Sequence, residues 1–187
     1  MNKIARSVLT VLSFALSTTT QGQSSAGNFS LGISPATSFT YTGINSYLLV
    51  DASLGKHDLY AGPKVVLSDS YLPYKAIMGY DIGYNFFVLT NGRLSALVNL
   101  DYQISYYDPY NPNKVDIANR KNTVNELFLS LGINYRLSRK SRFSLSLNLG
   151  TGAFLEKYYD VVELNKNITT GLSQIARLGI RYNIFKR

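Results

Sequence analysis

The sequence predicts an all-β protein: an eight-stranded antiparallel up-and-down transmembrane β-barrel with a polar, side-chain-filled lumen. Three observations predict it. Eight stretches alternate apolar and polar residues with the period of two that puts a strand's side chains on opposite faces. Short turns and long polar loops alternate between them. No segment after the first residues reaches the ~18 uninterrupted apolar residues of a membrane helix, so a membrane assignment requires strands.

Residues 1–22 read as a signal peptide. Lys3 and Arg6 give a basic start, Val8 to Leu16 a short apolar run, and Thr20-Gln21-Gly22 a small-residue exit before Gln23. Residues 23–187 then form one domain. Cysteine is absent, which excludes disulfides, thiolate metal sites and a lipidated cysteine. The net charge of +8 would suit a nucleic-acid binder if the bases clustered, but they are scattered over turns, loops and polar strand faces, so no nucleic-acid partner is expected.

Strand one covers residues 28–34, with Phe29, Leu31 and Ile33 outward, and a loop is expected over 35–43. Strand two, 47–54, sets Leu48, Val50, Ala52 and Leu54 against Tyr47, Leu49, Asp51 and Ser53. A tight turn over 55–58 leads to strand three, 59–68, where Lys64 faces inward and Pro63 marks an edge or bulge. Strand four runs from Tyr74 to Phe86 with Asp81 inward. After Thr90-Asn91-Gly92, strand five has the cleanest alternation, Leu94 to Ile104 outward and Ser95, Leu97, Asn99, Asp101, Gln103 and Ser105 inward. A polar loop over 108–122 precedes strand six (126–136), which turns Glu126 and Arg136 inward. Strand seven covers 143–150, and residues 156–170 read as a further long loop. Strand eight, 174–185, presents Ala176, Leu178, Ile180, Tyr182 and Ile184 on one face and Arg177 and Arg181 on the other.

With these features in place, the chain resembles the small outer-membrane β-barrel family that includes the transmembrane domain of outer-membrane protein A. The resemblance rests on the leader, the eight amphipathic strands, the turn and loop asymmetry, and the aromatic-ended last strand Arg181-Tyr182-Asn183-Ile184-Phe185. It extends over the whole mature chain; Lys186-Arg187 depart from it, since members often stop at the aromatic. The Gln-Gly-Gln leader ending is similar to leaders of Bacteroidota. The resemblance implies a porin-like, multi-pass protein in the outer membrane of a Gram-negative cell envelope. Its partners would be outer-membrane lipid, the barrel-insertion machinery through the final strand, and a protein in a larger outer-membrane complex.

The inward positions assemble a lumen charge network of Asp51, Lys64, Asp81, Asp101, Glu126, Arg136, Arg177 and Arg181, balanced on paper. A three-residue turn at Thr90-Asn91-Gly92 would set Asp81 opposite Asp101, two repelling carboxylates that need a cation. Arg177 lies at similar depth and is the expected partner, ahead of Arg181 and Lys64. A structural plug is favoured over a proton path or acid pair, because buried charges need partners.

No enzyme is expected: the single histidine, His57, falls in a predicted periplasmic turn, and neither a phosphate-binding glycine loop nor metal-ligand spacing occurs, so no cofactor is expected. Tyr107, Tyr110 and Tyr159 are candidate loop contacts for a partner. The expected function is a non-enzymatic structural or accessory barrel presenting its outer loops. A small channel for ions or polar solutes is the alternative, and a lipid- or glycan-processing enzyme is disfavoured. A soluble lipocalin-like barrel would reverse the two faces, so a map of exposure decides between them.

Overall fold

The computed structural model describes residues 29–68, 78–107, 122–138, 141–160 and 165–186. The strands are β1 (Phe29–Thr40), β2 (Gly43–Leu54), β3 (His57–Ser68), β4 (Met78–Asn91), β5 (Leu94–Tyr107), β6 (Asn122–Arg136), β7 (Phe143–Asp160) and β8 (Asn165–Lys186). Each pairs antiparallel with its neighbours in sequence, and β1 pairs β8, which closes the sheet into a barrel. The expected fold class is therefore present, strand for strand. The expected leader, residues 1–22, and Tyr110 lie outside the described residues.

The two faces sort as alternation demands. Val50, Leu129, Leu131 and Leu178 are each about 60 to 70 % exposed on the outer wall, while Lys64, Asp101 and Gln103 are 0 % exposed inside it. A water-soluble barrel has the reverse polarity. An apolar exterior around a polar interior is what hydrocarbon requires of strands that cross it. Aromatic side chains border this wall at the end where β1 begins and β8 ends: Phe29 packs on Phe185, and Phe143 on Tyr182, with ring centroids 6.3 and 4.8 Å apart. His57 belongs to the same border. It opens β3 rather than sitting in a turn, packs on Phe86 and shares a 2.6 Å hydrogen bond with the Tyr84 hydroxyl.

Register sets the tilt. Stepping from Phe39 to its partners Ala176, Leu149, Leu131, Val98, Phe86, His57 and Leu54 in turn leads back to β1 at Phe29, ten residues from the start. That offset inclines the strands by about 40°. A 12-residue strand such as β1, β2 or β3 then rises about 30 Å, the depth of a bilayer's hydrocarbon core.

Several strand boundaries differ from expectation, those of β1, β7 and β8 most. β1 continues through Pro35 to Thr40 where a loop over 35–43 is expected, and it hairpins tightly into β2 at Tyr41-Thr42. Proline removes one donor on one side only. Rungs to β8 are missing at Ser34 and Pro35, but Pro35 still pairs Leu48 of β2, and the β8 ladder resumes in the same register at Ala36. Pro63 interrupts the β2–β3 ladder in the same way, without ending the strand. Finally, β7 and β8 occupy most of the expected 156–170 loop, with 18 and 22 residues respectively. Above the lipid both faces of a strand meet water, so the polar-apolar alternation that reveals a strand lapses there.

The connections Gly55-Lys56 and Gly92-Arg93 are two-residue turns, each led by a glycine at φ near +60°. Glycine adopts that left-handed conformation without steric cost, which suits a tight hairpin.

Candidate functional site

The lumen is the site, and it is built in layers from inward-facing side chains. Lys64 on β3 forms the layer nearest the outer end. Its ammonium lies 3.1 Å from Glu126 Oε2 and donates to Gln103 Oε1 at 2.8 Å and to Thr42 Oγ1 at 3.1 Å. All three ammonium protons are thereby used, which is the condition for holding a lysine at zero exposure.

Arg177 on β8 organises the middle layer. One guanidinium nitrogen lies 2.7 Å from both Asp81 Oδ2 and Asp101 Oδ2, and the other reaches Tyr60 Oη at 2.8 Å. Tyr60 in turn donates to Asp101 Oδ1 at 2.6 Å. The planar cation also lies 4.7 Å from the Tyr47 ring centroid and 5.5 Å from that of Tyr60. Tyr60 fits because Gly83 faces it across the β3–β4 ladder: a Cβ on Gly83 would collide with the phenol ring.

The third layer belongs to Arg181, one step further along β8. It pairs with Asp51 and with Asp58 Oδ1, the latter at 3.0 Å, and donates to Ser53 Oγ at 2.7 Å. Polar links join the layers. Gln103 accepts from Lys64 and donates to Asp101 at 2.7 Å, while Asn85 accepts from Asn99 at 2.9 Å and donates to Asp58 at 3.0 Å. The lumen holds one continuous hydrogen-bonded network.

Above Lys64 an apolar cap closes the outer end. Val66, Tyr107, Val124 and Phe154 form a buried cluster, and Tyr41 stacks on Phe154 at 3.8 Å. Glu156 accepts from the Tyr107 hydroxyl and, at 3.1 Å, from that of Tyr41.

Seven of the eight expected network residues thus meet in ion pairs: Asp51, Lys64, Asp81, Asp101, Glu126, Arg177 and Arg181. Arg136 does not join them; it lines a wider polar cavity at the opposite end of the barrel. The expected juxtaposition of Asp81 with Asp101 is corrected. Asp81 pairs Gln103 and Asp101 pairs Gly83, because Val88 is a bulge in β4 and the turn has two residues rather than three. Arg177 brings the two carboxylates together regardless of that two-residue slip.

Tyr107 is corrected as well: it lies in the cap, 5 % exposed, instead of in a loop. Tyr159 lies in β7 opposite Lys166. Sequence reasoning missed Asp58, assigned to a turn, and Glu156, assigned to a loop. Their signal was parity: Asp58 falls in step with Tyr60 and Lys64, and Glu156 with Phe154. Among the described residues no group of three or more His, Cys, Asp or Glu could hold a metal ion.

The fold and lumen define a class, the small eight-stranded barrel with an apolar wall and a polar, filled centre. No protein-family model matches this chain, and no curated protein matches it. Among solved structures it is similar to Neisserial surface protein A (12 % identity, 87 % of this chain and all of that one, TM-score 0.46). It is also similar to a major outer membrane protein from Thermus thermophilus (16 % identity, 83 % and 99 %, TM-score 0.44). A third likeness is to the outer membrane protease OmpT from Escherichia coli (12 % identity, 88 % and 99 %, TM-score 0.32).

Proposed function

We propose that this chain is a non-enzymatic β-barrel of the Gram-negative outer membrane, exported by its leader, and that it acts as a structural or accessory element binding a protein partner at its outer end. The wall's inverted polarity supports the location. The plugged lumen supports a role other than transport, since Gln103, Asp101 and Lys64 fill the cross-section without exposure.

The observation that carries the partner-binding role is the β7–β8 hairpin. β1 stops at Thr40 and its last rung to β8 joins Phe39 to Ala176, so among the described residues no strand covers that edge of β8 from Asn165 to Ile175. Those residues rise about 25 Å beyond β1 at the tilt derived above. An uncovered strand edge is a template for another strand, and natural edges are blunted with charge or proline. Here residues 167–174, Asn-Ile-Thr-Thr-Gly-Leu-Ser-Gln, carry neither. Leu172 is 85 % exposed and Ile168 64 %, which leaves apolar surface for a partner to cover.

Affinity capture from detergent-solubilised membranes, run with the native chain and with an Ile168→Lys, Leu172→Lys variant, tests the reading. The expected outcome is a partner retained by the native barrel and lost from the variant. Equal capture by both removes the hairpin from the account, and a steady single-channel current through the native protein in a planar bilayer contradicts the plug.

A further inference from the structure

Arg136 is the one inward base that finds no carboxylate among the described residues, and the cavity around it explains what it is for. It sits half-buried near the end of β6, at the end of the barrel where β1 begins and β8 ends. Beside it lies a cavity of about 210 Å³, room for several waters. Hydroxyls and amides furnish the wall: Ser30, Ser95, Ser144 and Asn183 come from four different strands, and Ser144 is Arg136's direct cross-strand partner on β7. Among the described residues no acidic side chain lines the cavity. Its inner end is the Arg181 layer: Arg181 itself lines the cavity, while its carboxylate partners Asp51 and Asp58 lie outside the lining. Beyond that the Arg177 layer blocks the lumen, so the cavity is a dead end, not a passage.

We infer that this cavity is a binding site for a small oxyanion, a carboxylate or phosphate, held by the Arg136 guanidinium and surrounding hydroxyl donors. The guanidinium's planar fork matches two oxygens of such a group, and charge-assisted bonds of this kind are about twice as strong as neutral ones. A half-buried arginine that lacks a partner has given up part of its hydration without compensation, and an anion supplies the missing half. The donors beside it are neutral hydroxyls, which suit additional oxygens of a phosphate or a hydroxy acid. The narrow ring of strands limits the ligand to a small solute or to the headgroup of a lipid that reaches in from the membrane rim.

The test is isothermal titration of inorganic phosphate and of glycerate into the folded barrel in a zwitterionic detergent, for the native chain, Arg136→Gln and Arg93→Gln. Arg93 lies in the exposed β4–β5 turn and serves as a rim charge outside the cavity. The expected result is saturable binding that weakens about tenfold or more in Arg136→Gln and is unchanged in Arg93→Gln. Since Arg136 has no ion pair to lose among the described residues, the variant should keep its native strand signal in circular dichroism, and that measurement excludes misfolding as the cause. Absence of saturable heat with the native chain overturns the site, as does equal weakening by both substitutions. Repeating the titration in nanodiscs of neutral and of anionic lipid identifies the source. Equal affinity in both assigns a free solute, and lower affinity in the anionic discs assigns a lipid headgroup that already occupies the site.

Discussion

Arg177 and Arg181 stand four residues apart on the same face of β8, and each holds two carboxylates, yet their surroundings differ. The Arg177 side chain is 4 % exposed and its two acids 0 %, whereas the Arg181 side chain is 12 % exposed and borders the open cavity. Asp51 and Asp58 both keep other donors, Ser34 at 2.6 Å for the first and Ser53 at 2.6 Å for the second, whereas in the Arg177 layer Asp101 keeps Tyr60 and Gln103 but Asp81 Oδ1 has no partner among the described residues. The lesson is that one chemical unit serves two purposes according to access of water. Deep in the barrel it is a keystone with no substitute, and near the mouth it is a tie that water can partly replace.

The largest effect should therefore come from Arg177→Gln. It leaves Asp81 and Asp101 side by side without their cation, a loss of about 3–5 kcal/mol, read as urea unfolding of the lipid-reconstituted barrel. Arg181→Gln should cost less, about 1–3 kcal/mol, because both of its acids retain another donor and Arg181 itself borders the open cavity, whereas Asp81 among the described residues keeps no donor once Arg177 is gone. If the two substitutions prove equally costly, the distinction between keystone and tie fails.

A subtler probe is Gly83→Ala, which touches neither arginine. Its Cβ would displace the Tyr60 ring and with it a hydrogen bond to both Arg177 and Asp101, an expected loss of about 1–3 kcal/mol. A double-mutant cycle should show strong coupling of Gly83→Ala to Arg177→Gln and none to Arg181→Gln. The smallest effect concerns salt. Raising ionic strength should reduce the stability difference between native and Arg181→Gln proteins while leaving that for Arg177→Gln unchanged, since only the cluster bordering the open cavity feels screening.

The sequence revealed most where water and lipid make opposite demands. Along β5 lipid faces one side and the filled lumen the other, so Leu94 to Ser105 alternate with one exception, the inward-facing Leu97, and the strand is legible almost residue by residue. Register was less legible. The bulge at Val88 has no marker in its own residue type, and together with the two-residue turn it displaces the β4–β5 pairing by two from the expected register. The paired ends of β7 and β8 were missed because both their faces are wet. Phe128 and Phe154 are buried in the lumen, where their residue type gives no sign of an inward position. Arg177's role, by contrast, followed from counting depth along strands, and survived the register error because a guanidinium spans the gap that a carboxylate pair leaves.

The stagger of the closed ladder carries a consequence of its own. Ten is an even number, so a row of residues that leaves β1 facing lipid returns to β1 facing lipid, and inside never exchanges with outside at the seam. An odd stagger would oblige one strand to show its charges to hydrocarbon. Evolution can therefore lengthen or shorten this wall only two residues at a time, or hide a single extra residue in a kink, as it has between Leu31 and Gly32 where the first and last strands meet.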